Sequence, residues 1–226
     1  MAQTSFDPKP YSLTIRNVPS VGANPTFGAG VIIGRNADGT LRVVTARHVI
    51  GQTNPTSLSL TDASGARYYV KSAHYPKDGD FAALDVVPPG HAQYAVASLA
   101  ANGAKVPQEL SVMGTPDGKA FQVAPGTNAG AYGSGFLVDA PQATYGDSGG
   151  GVWGPHGTLY GIADALVQGP KGQTLLSPLA ASLMRSYLAT MFPQAAVAPR
   201  AVQAVALTGT PPNTNALSRI TRRMTP

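Results

Sequence analysis

The chain contains no cysteine and only four histidines among its 226 residues. The absence of cysteine excludes disulfide bonds, including the disulfide frameworks that stabilise many small secreted domains. The histidines are too widely scattered to form the closely spaced ligand sets of zinc sites; they are His48, His74, His91 and His156. We therefore expect neither a metal nor an organic cofactor.

Charge and long apolar runs are also scarce. Charged residues make up 12% of the chain, with 11 acidic and 16 basic side chains. No apolar stretch reaches the ~18 residues that a membrane-spanning helix needs. The first seven residues lack the charged start and apolar core of a signal peptide. These absences favour an intracellular location over secretion.

Acidic residues are missing altogether after position 193. Four of the net five positive charges come from arginines of this segment, Arg200, Arg219, Arg222 and Arg223. Alanine and proline dominate residues 194–226 and no hydrophobic period is visible, which predicts a disordered basic tail. Four arginines make only a weak electrostatic footprint, so no nucleic-acid partner is predicted. Residues 1–193 are predicted to form the folded domain.

Glycine and proline are abundant, with 26 and 20 residues, and β-branched runs lie between them. Such a pattern favours many short strands joined by tight turns. We predict an all-β pair of barrels, at about residues 10–88 and 106–176, separated at Pro88-Pro89-Gly90. The predicted strands are Ser12–Ile15, Ala29–Ile33, Leu41–Thr45, Ser57–Leu60, Tyr68–Ser72, Phe81–Val86, Glu109–Met113, Phe121–Ala124, Gly135–Ala140, Gly151–Trp153 and Thr158–Ala163.

One helix is predicted near the end of the domain, at about residues 178–192. Ser177 is a favourable N-cap, and Pro178 suits the first helical position. The apolar stripe that follows has helical spacing, with members such as Leu183 and Tyr187, and it indicates packing on the second barrel. Pro193 is expected to end the helix.

A glycine-flanked serine is the most informative local feature of the chain. Ser148 lies in the run Gly146-Asp147-Ser148-Gly149-Gly150-Gly151. Glycine costs backbone entropy and offers nothing to a packed core, but it permits a sharp turn. Such a turn can present a hydroxyl and direct backbone N–H groups at an anion, which is the arrangement of a nucleophile beside an oxyanion hole.

A base and a carboxylate for such a nucleophile lie upstream. His48 follows the apolar run Val43-Val44 and is expected where that strand ends. Asp80 directly precedes a buried run and needs a partner there, which an imidazole N–H would supply. Asp85 is the alternative, but it lies inside the run and is expected to face outward. Asp78 lies too early in the loop.

Three blocks resemble the catalytic blocks of trypsin-like serine proteases: Thr45–Val49, Asp80–Leu84 and Gly146–Gly150. Their order of His, Asp and Ser is that of the chymotrypsin type. Asp80 follows His48 by 32 positions, and Ser148 follows Asp80 by 68. Two further stretches, Phe27–Gly34 and Val112–Gly118, resemble segments of HtrA-like and V8-like bacterial proteases. The nucleophile block also resembles that of viral polyprotein proteases.

The resemblance covers about residues 27–166 and implies a fold and a mechanism. The fold is a double six-stranded β-barrel of chymotrypsin type with a C-terminal helix. Ser148 would be the nucleophile, His48 the general base, and Asp80 the residue that orients His48. Gly146, Asp147 and Ser148 would form the oxyanion hole, with the N–H groups of Gly146 and Ser148 as donors. Asp147 is expected to cap nearby backbone N–H groups. Activation of a zymogen by cleavage is not expected.

By position in the family, six residues are expected to line the pocket for the substrate side chain before the scissile bond (S1). They are Gln142, Ala143, Thr144, Ile162, Ala163 and Asp164. Small, uncharged walls at Ala143 and Ala163 favour a medium or apolar side chain. The alternative is that Asp164 points inward and pairs with Arg or Lys of the substrate.

The sequence therefore predicts a serine endopeptidase that acts on a polypeptide substrate. Two contexts stay open, the processing of a viral polyprotein and a stand-alone bacterial protease. A different class of protein, a protease-like binding domain without activity, is the alternative. The sequence does not determine the substrate or the oligomeric state.

Overall fold

The computed structural model describes residues 6–20, 22–51, 54–169 and 171–193, and the predicted tail at 194–226 lies outside the described residues. Six strands of the first half are β1 (Ser12–Asn17), β2 (Thr26–Arg35), β3 (Leu41–Thr45), β4 (Leu58–Thr61), β5 (Arg67–His74) and β6 (Ala82–Val87). They pair antiparallel in the order β1-β2-β3-β6-β5-β4 and close into a barrel. Closure leaves this barrel without free sheet edges.

The second half contains seven strands: β7 (Ser98–Leu99), β8 (Glu109–Gly114), β9 (Gln122–Tyr132), β10 (Gly135–Asp139), β11 (Gly151–Trp153), β12 (Thr158–Gln168) and β13 (Thr174–Ala180). Six of them form a second ring, β8-β9-β10-β13-β12-β11, because β11 pairs with both β8 and β12. The two-residue strand β7 adds to β12 in parallel. The predicted all-β architecture of two six-stranded barrels is confirmed.

In the described ranges two α-helices accompany the barrels, α1 (Arg47–Ile50) and α2 (Ala181–Met191). Within the described residues, neither helix is long and apolar enough to cross a membrane. All eleven predicted strands correspond to observed ones, although β9 continues to Tyr132, well beyond the predicted end at Ala124. Its continuation pairs with β10 across a bulge, which the glycine-rich and proline-containing sequence after Ala124 does not indicate.

The predicted start of the C-terminal helix is wrong. Ser177 and Pro178 belong to β13, and α2 begins at Ala181. β13 fills the place between β10 and β12 that closes the second barrel. Leu175 and Leu176 are buried there. The long-range pairing and this burial outweigh the local signal of a serine N-cap followed by proline.

The barrels share an apolar cluster that lies between them. Val31, Val44 and Phe81 enter it from the first barrel. The second barrel and α2 contribute Met113, Trp153, Leu159, Ile162, Leu179 and Met184. All nine side chains are buried, at 6% exposure or less. Loops that leave the two barrels beside this cluster are therefore held close to one another.

The end of α2 is anchored on the outside of the first barrel. The Arg42 guanidinium lies 3.5 Å from the centre of the Phe192 ring, and the His74 ring meets the same ring edge-on at 4.8 Å. A cation over an aromatic face is attractive. The contact thus ties the residue that follows α2 to β3 and β5.

Candidate active site

His48 lies on the single helical turn α1, directly after β3. Val49 and Ile50 of this turn are 1% and 0% exposed, so they anchor it in the first barrel. The His48 side chain faces outward and is 47% exposed. Gly51 ends the turn with a φ of 57°, a conformation that glycine adopts without strain. The apolar run followed by a short break therefore places the imidazole at a strand end, as the sequence predicts.

Asp80 binds His48 through both carboxylate oxygens. Oδ2 lies 2.5 Å from the His48 Nδ1 atom, and Oδ1 accepts the His48 backbone N–H at 2.8 Å. Partial burial raises the pKa of Asp80, but the hydrogen bonds from His48 outweigh it and hold this pKa below its ordinary value. An imidazole that donates from Nδ1 has Nε2 free to act as a base.

Asp85, the alternative carboxylate, lies elsewhere. It accepts hydrogen bonds from Arg42 Nε at 2.7 Å and from Asn36 Nδ2 at 2.7 Å, on the outer face of the first barrel. His74 Nε2 lies 2.9 Å from its other oxygen. The structure brings Asp80, and not Asp85, to His48.

The turn that carries Ser148 is bound to both barrels. Ala29 N–H on β2 donates to Ser148 O at 2.8 Å, and Gly149 N–H donates to Ala163 O on β12 at 2.7 Å. Gly149 has a φ of +79°, and a Cβ there would collide with Ala29 O and the Thr45 hydroxyl. Only glycine fits this position. The turn is thereby packed against β2 and β3. Thr45, the β3 residue that it contacts, precedes His48 by three positions in the sequence.

The peptide groups before Ser148 are oriented by the segment that follows β8. Asp117 N–H donates to Tyr145 O at 3.0 Å, and Thr115 N–H donates to Gly146 O at 3.3 Å. The Thr115 hydroxyl also lies within hydrogen-bond distance of Gly146 O, at 3.1 Å. Tyr145 C=O and Gly146 N–H belong to one peptide unit, and in a trans peptide the N–H points away from the carbonyl of the same unit. The N–H of Gly146 is therefore turned away from the Thr115–Asp117 segment.

Two of the three predicted oxyanion-hole residues keep an available donor. In the part of the chain that the structure describes, the N–H groups of Gly146 and Ser148 have no protein acceptor. The N–H of Asp147 is already donated to Thr144 O at 3.2 Å. Gly146 has a φ of +96°, and a Cβ there would collide with Thr115 O, so this residue too must be glycine.

The Asp147 side chain stabilises the same loop. Its Oδ2 accepts the Thr144 N–H at 2.8 Å, in agreement with the expected capping role. The residue is only 6% exposed, and this burial raises the pKa of its carboxyl. Among the described residues no cation pairs with Asp147.

Asp164 lies beside the His48–Asp80 pair. The ligand atoms of these three side chains are all within 4.8 Å of one another, and Asp164 is half-buried. Burial, followed by the neighbouring Asp80 carboxylate, raises the pKa of Asp164 to about 6. This is the only cluster of three possible metal ligands in the described ranges. His48 binds Asp80, and the Asp164 carboxyl forms a hydrogen bond with the same Asp80 carboxyl. Asp80 and Asp164 therefore form a pair of hydrogen-bonded acids.

Comparison with known families matches residues 28–162 to the model of the trypsin-like peptidase domain. That span contains His48, Asp80 and Ser148. The chain belongs to the trypsin-like peptidase domain family. The family implies a polypeptide substrate for this peptidase domain.

Solved structures are similar in fold to this peptidase domain. The active form of the Rv3671c protease from M. tuberculosis superposes with a TM-score of 0.66 at 21% identity, over 86% of this chain and 85% of that one. Its inactive form has a TM-score of 0.60 at 21% identity, over 82% and 90% of the two chains. A serine endoprotease from Yersinia pestis has a TM-score of 0.64 at 19% identity, over 82% and 64%. No curated protein matches the sequence.

The six residues predicted to line S1 differ in what they can offer a substrate. Ile162 is 0% exposed within the cluster between the barrels, so its side chain is not available. Ala163 is 1% exposed, and the partly buried Ala143 packs against the same apolar cluster. Gln142 and Thr144 are exposed.

Asp164, the sixth of these residues, is engaged by Asp80. Pairing with a basic substrate side chain would require its carboxyl to leave that contact. Two features of the peptidase domain escaped sequence reasoning, the contact between Asp164 and Asp80 and the contacts of the Thr115 hydroxyl. Both depend on segments that are far apart in the chain.

A shallow depression opens beside the imidazole. It has a volume of about 350 Å³ and is lined by Arg47, His48, Gly51, Gly79 and Asp80. The Arg47 guanidinium lies 5.3 Å from the centre of the Tyr75 ring. The His48 side chain is therefore accessible from this depression.

Proposed function

We propose that this trypsin-like peptidase domain is a serine endopeptidase with a Ser148-His48-Asp80 triad. The observation that carries the proposal is the His48–Asp80 pair, in which Asp80 accepts both the ring N–H and the backbone N–H of His48. This double contact holds the imidazole in one orientation and one tautomer. The glycine turn that binds Ser148 to β2 and β12 supports the same assignment.

In the proposed reaction, Ser148 Oγ attacks the carbonyl carbon of a peptide bond while His48 Nε2 takes the hydroxyl proton. Collapse of the tetrahedral intermediate breaks the C–N bond, and the imidazolium returns the proton to the leaving amine. Water then attacks the acyl-enzyme and gives a proton to His48, and the ester bond breaks as the imidazolium returns this proton to Ser148 Oγ. Asp80 stays ionised and stabilises the imidazolium in both steps.

The available N–H groups of Gly146 and Ser148 supply the donors for the oxyanion in this mechanism. Charge develops on the substrate carbonyl oxygen only as the tetrahedral intermediate forms, so donors held in place act on the transition state. Removing one such donor from a protease costs about 2.7–4 kcal/mol in the activation barrier. The hydrogen bonds from Thr115 and Asp117 to the preceding carbonyls keep this loop in position.

The proposal is tested by covalent labelling with a fluorophosphonate. The wild type is expected to react, and the Ser148→Ala variant is not. Ser134→Ala, at an exposed serine in the turn between β9 and β10, is the matched control and should label like the wild type. Asp80→Asn should lower the rate about 10⁴-fold because the imidazole then takes the wrong tautomer. Asp85→Asn should retain labelling.

A folded wild type that fails to label would favour the alternative of a protease-like binding domain without activity. The rate of Asp80→Asn relative to Asp85→Asn separates the two carboxylates. Equal labelling of these variants would contradict the assigned triad while leaving the nucleophile in place.

Processing of a viral polyprotein is a finer hypothesis about the same activity. Expression of a longer precursor with and without Ser148→Ala tests it, because self-processing would give fragments only with the serine present. Identical fragment patterns in both precursors would contradict the hypothesis. A stand-alone bacterial protease would instead cleave other polypeptides and leave its own precursor intact.

A further inference from the structure

Asp164 is the extra residue of a β-bulge between β12 and β13. Ala163 pairs with Pro178 and Ala165 pairs with Ser177, so Asp164 has no partner across the ladder. Pro178 lacks an N–H and cannot donate a hydrogen bond at this point. A bulge rotates the side chain of the extra residue out of the regular alternation. The bulge is therefore the feature that directs the Asp164 carboxyl toward His48 and Asp80.

Few charged groups other than His48 and Asp80 surround Asp164. The strands that neighbour it, β7, β11 and β13, carry no titratable side chain. On α2, Arg185 is engaged with backbone carbonyls next to β7, and the Tyr187 hydroxyl packs on Gly79. On α1, Arg47 lies over the Tyr75 ring. The described residues thus offer Asp164 no cation other than His48.

Two adjacent carboxyl groups cannot both be ionised at low cost, and the better-solvated or better-hydrogen-bonded one keeps the charge. Asp80 accepts two hydrogen bonds from His48. Asp164 is half-buried, and no N–H donor among the described residues binds its carboxyl. Asp164 is therefore the member of the pair that retains a proton, and burial together with Asp80 raises its pKa to about 6.

We propose that Asp164 is a positioning residue for the His48–Asp80 pair, whose protonated carboxyl donates a hydrogen bond to Asp80 and whose ionisation weakens that pair. The inference rests on the proposed function, because the pair matters only if His48 is the base. A neutral Asp164 holds Asp80 toward His48. An ionised Asp164 repels Asp80 and competes for the same imidazole, so the site loses order as the pH rises through about 6.

Substitution by asparagine separates the two forms. Asp164→Asn places an amide donor next to Asp80 at every pH and so imitates the protonated acid. Asp164→Ala removes the group that donates to Asp80. Loss of a hydrogen bond to a charged group changes a rate or an equilibrium constant by roughly tenfold or more. Asp139→Asn, at the exposed end of β10, is the matched control.

The first readout is the rate of fluorophosphonate labelling between pH 5 and pH 8. We expect the ratio of the wild-type rate to the Asp164→Asn rate to fall as the pH rises through about 6. The Asp164→Ala rate should lie roughly tenfold below that of Asp164→Asn. For Asp139→Asn the ratio should be independent of pH. A ratio for Asp164→Asn that does not vary with pH would overturn the proposal.

The second readout is thermal unfolding, which requires no activity. Because the folded state of the wild type holds the Asp164 proton more tightly than the unfolded state, the wild type should lose stability relative to Asp164→Asn as the pH rises from 5 to 7.5. Parallel Tm curves for the two proteins would overturn the proposal. If no variant labels but the Tm curves diverge, the triad assignment fails while the acid pair stands.

Carbon-13 NMR of the wild-type carboxyl groups covers the case in which Asp164 variants do not fold. One aspartate signal should titrate near pH 6. Its midpoint should fall in Asp80→Asn, since the neighbouring charge is then lost. Asp147 is also buried, but it does not contact Asp80, so its signal should not move. Absence of a signal that responds to Asp80→Asn would overturn the proposal.

Discussion

At the scale of single residues, the candidate site depends on buried side chains whose hydrogen bonds hold its loops in place. Thr115 is an example, because it is 0% exposed and is therefore not accessible to a bound molecule. Its hydroxyl lies 3.0 Å from Gly28 O on the first barrel and 3.1 Å from Gly146 O in the loop before Ser148. One side chain thus connects β2 to the peptide that precedes the nucleophile turn.

Thr115→Val keeps the shape of the side chain and removes the hydroxyl. Loss of a buried donor costs about 1–3 kcal/mol, so we expect a lower free energy of unfolding in urea and slower fluorophosphonate labelling. Thr115→Ser, which retains the hydroxyl, should keep the labelling rate near that of the wild type. Equal labelling of the valine variant and the wild type would show that the loop before Ser148 does not depend on this contact.

At the scale of elements, α2 closes the apolar cluster between the barrels from one side. Met184 is 0% exposed in that cluster, together with Trp153 and Phe81. The Phe81 ring also stacks on Tyr187 of the same helix, with 5.5 Å between ring centres. Since Phe81 directly follows Asp80, the packing of α2 helps to hold the carboxylate segment.

Met184→Ala should therefore lower the free energy of unfolding by about 2–5 kcal/mol, as expected for a large side chain removed from a packed core. Ser186→Ala, on the exposed side of α2, should change it by no more than about 0.5 kcal/mol. Urea unfolding followed by tryptophan fluorescence measures both variants, because Trp153 lies in the same cluster. Equal midpoints for the two variants would contradict the role assigned to α2.

At the scale of the whole molecule, aspartates with opposite pKa shifts determine how stability varies with pH. Hydrogen bonds overcome burial and lower the pKa values of Asp62, Asp80 and Asp85. Stability from these groups is present above the ordinary value of 3.8 and is lost as the pH falls below it. Burial raises the pKa values of Asp147 and Asp164, so stability from these two is lost as the pH rises.

The two groups of aspartates together predict a maximum of Tm close to about pH 4, because stability from Asp164 is lost as the pH rises from 3.8 to about 6. Thermal unfolding at low ionic strength over pH 3–8 measures it. In Asp164→Asn the decline on the neutral side should be smaller, while the acid side should be unchanged. A Tm that rises steadily from pH 5 to pH 8 would contradict the assignment of the raised pKa values.

The extent to which sequence predicts this molecule can be judged from particular segments. The sequence predicts Ser148, His48 and Asp80 as site residues because a glycine-flanked turn and the ends of buried runs have local physical causes. It also predicts eleven strands, from β-branched runs that lie between glycine- and proline-containing turns. β13 was missed, since Ser177-Pro178 carries a local helix signal and only the pairing with β10 and β12 overrides it.

The sequence by itself determined which chemical groups are present, the strand-rich character of the chain, and the glycines without which the turn at Ser148 cannot form. Tertiary structure alone decided which carboxylates meet. Asp80 reaches His48 through a loop contact, and Asp164 joins them because the bulge opposite Pro178 turns its side chain toward Asp80. The reason is that a bulge and a strand register depend on the strand lying opposite, and no single segment contains that information.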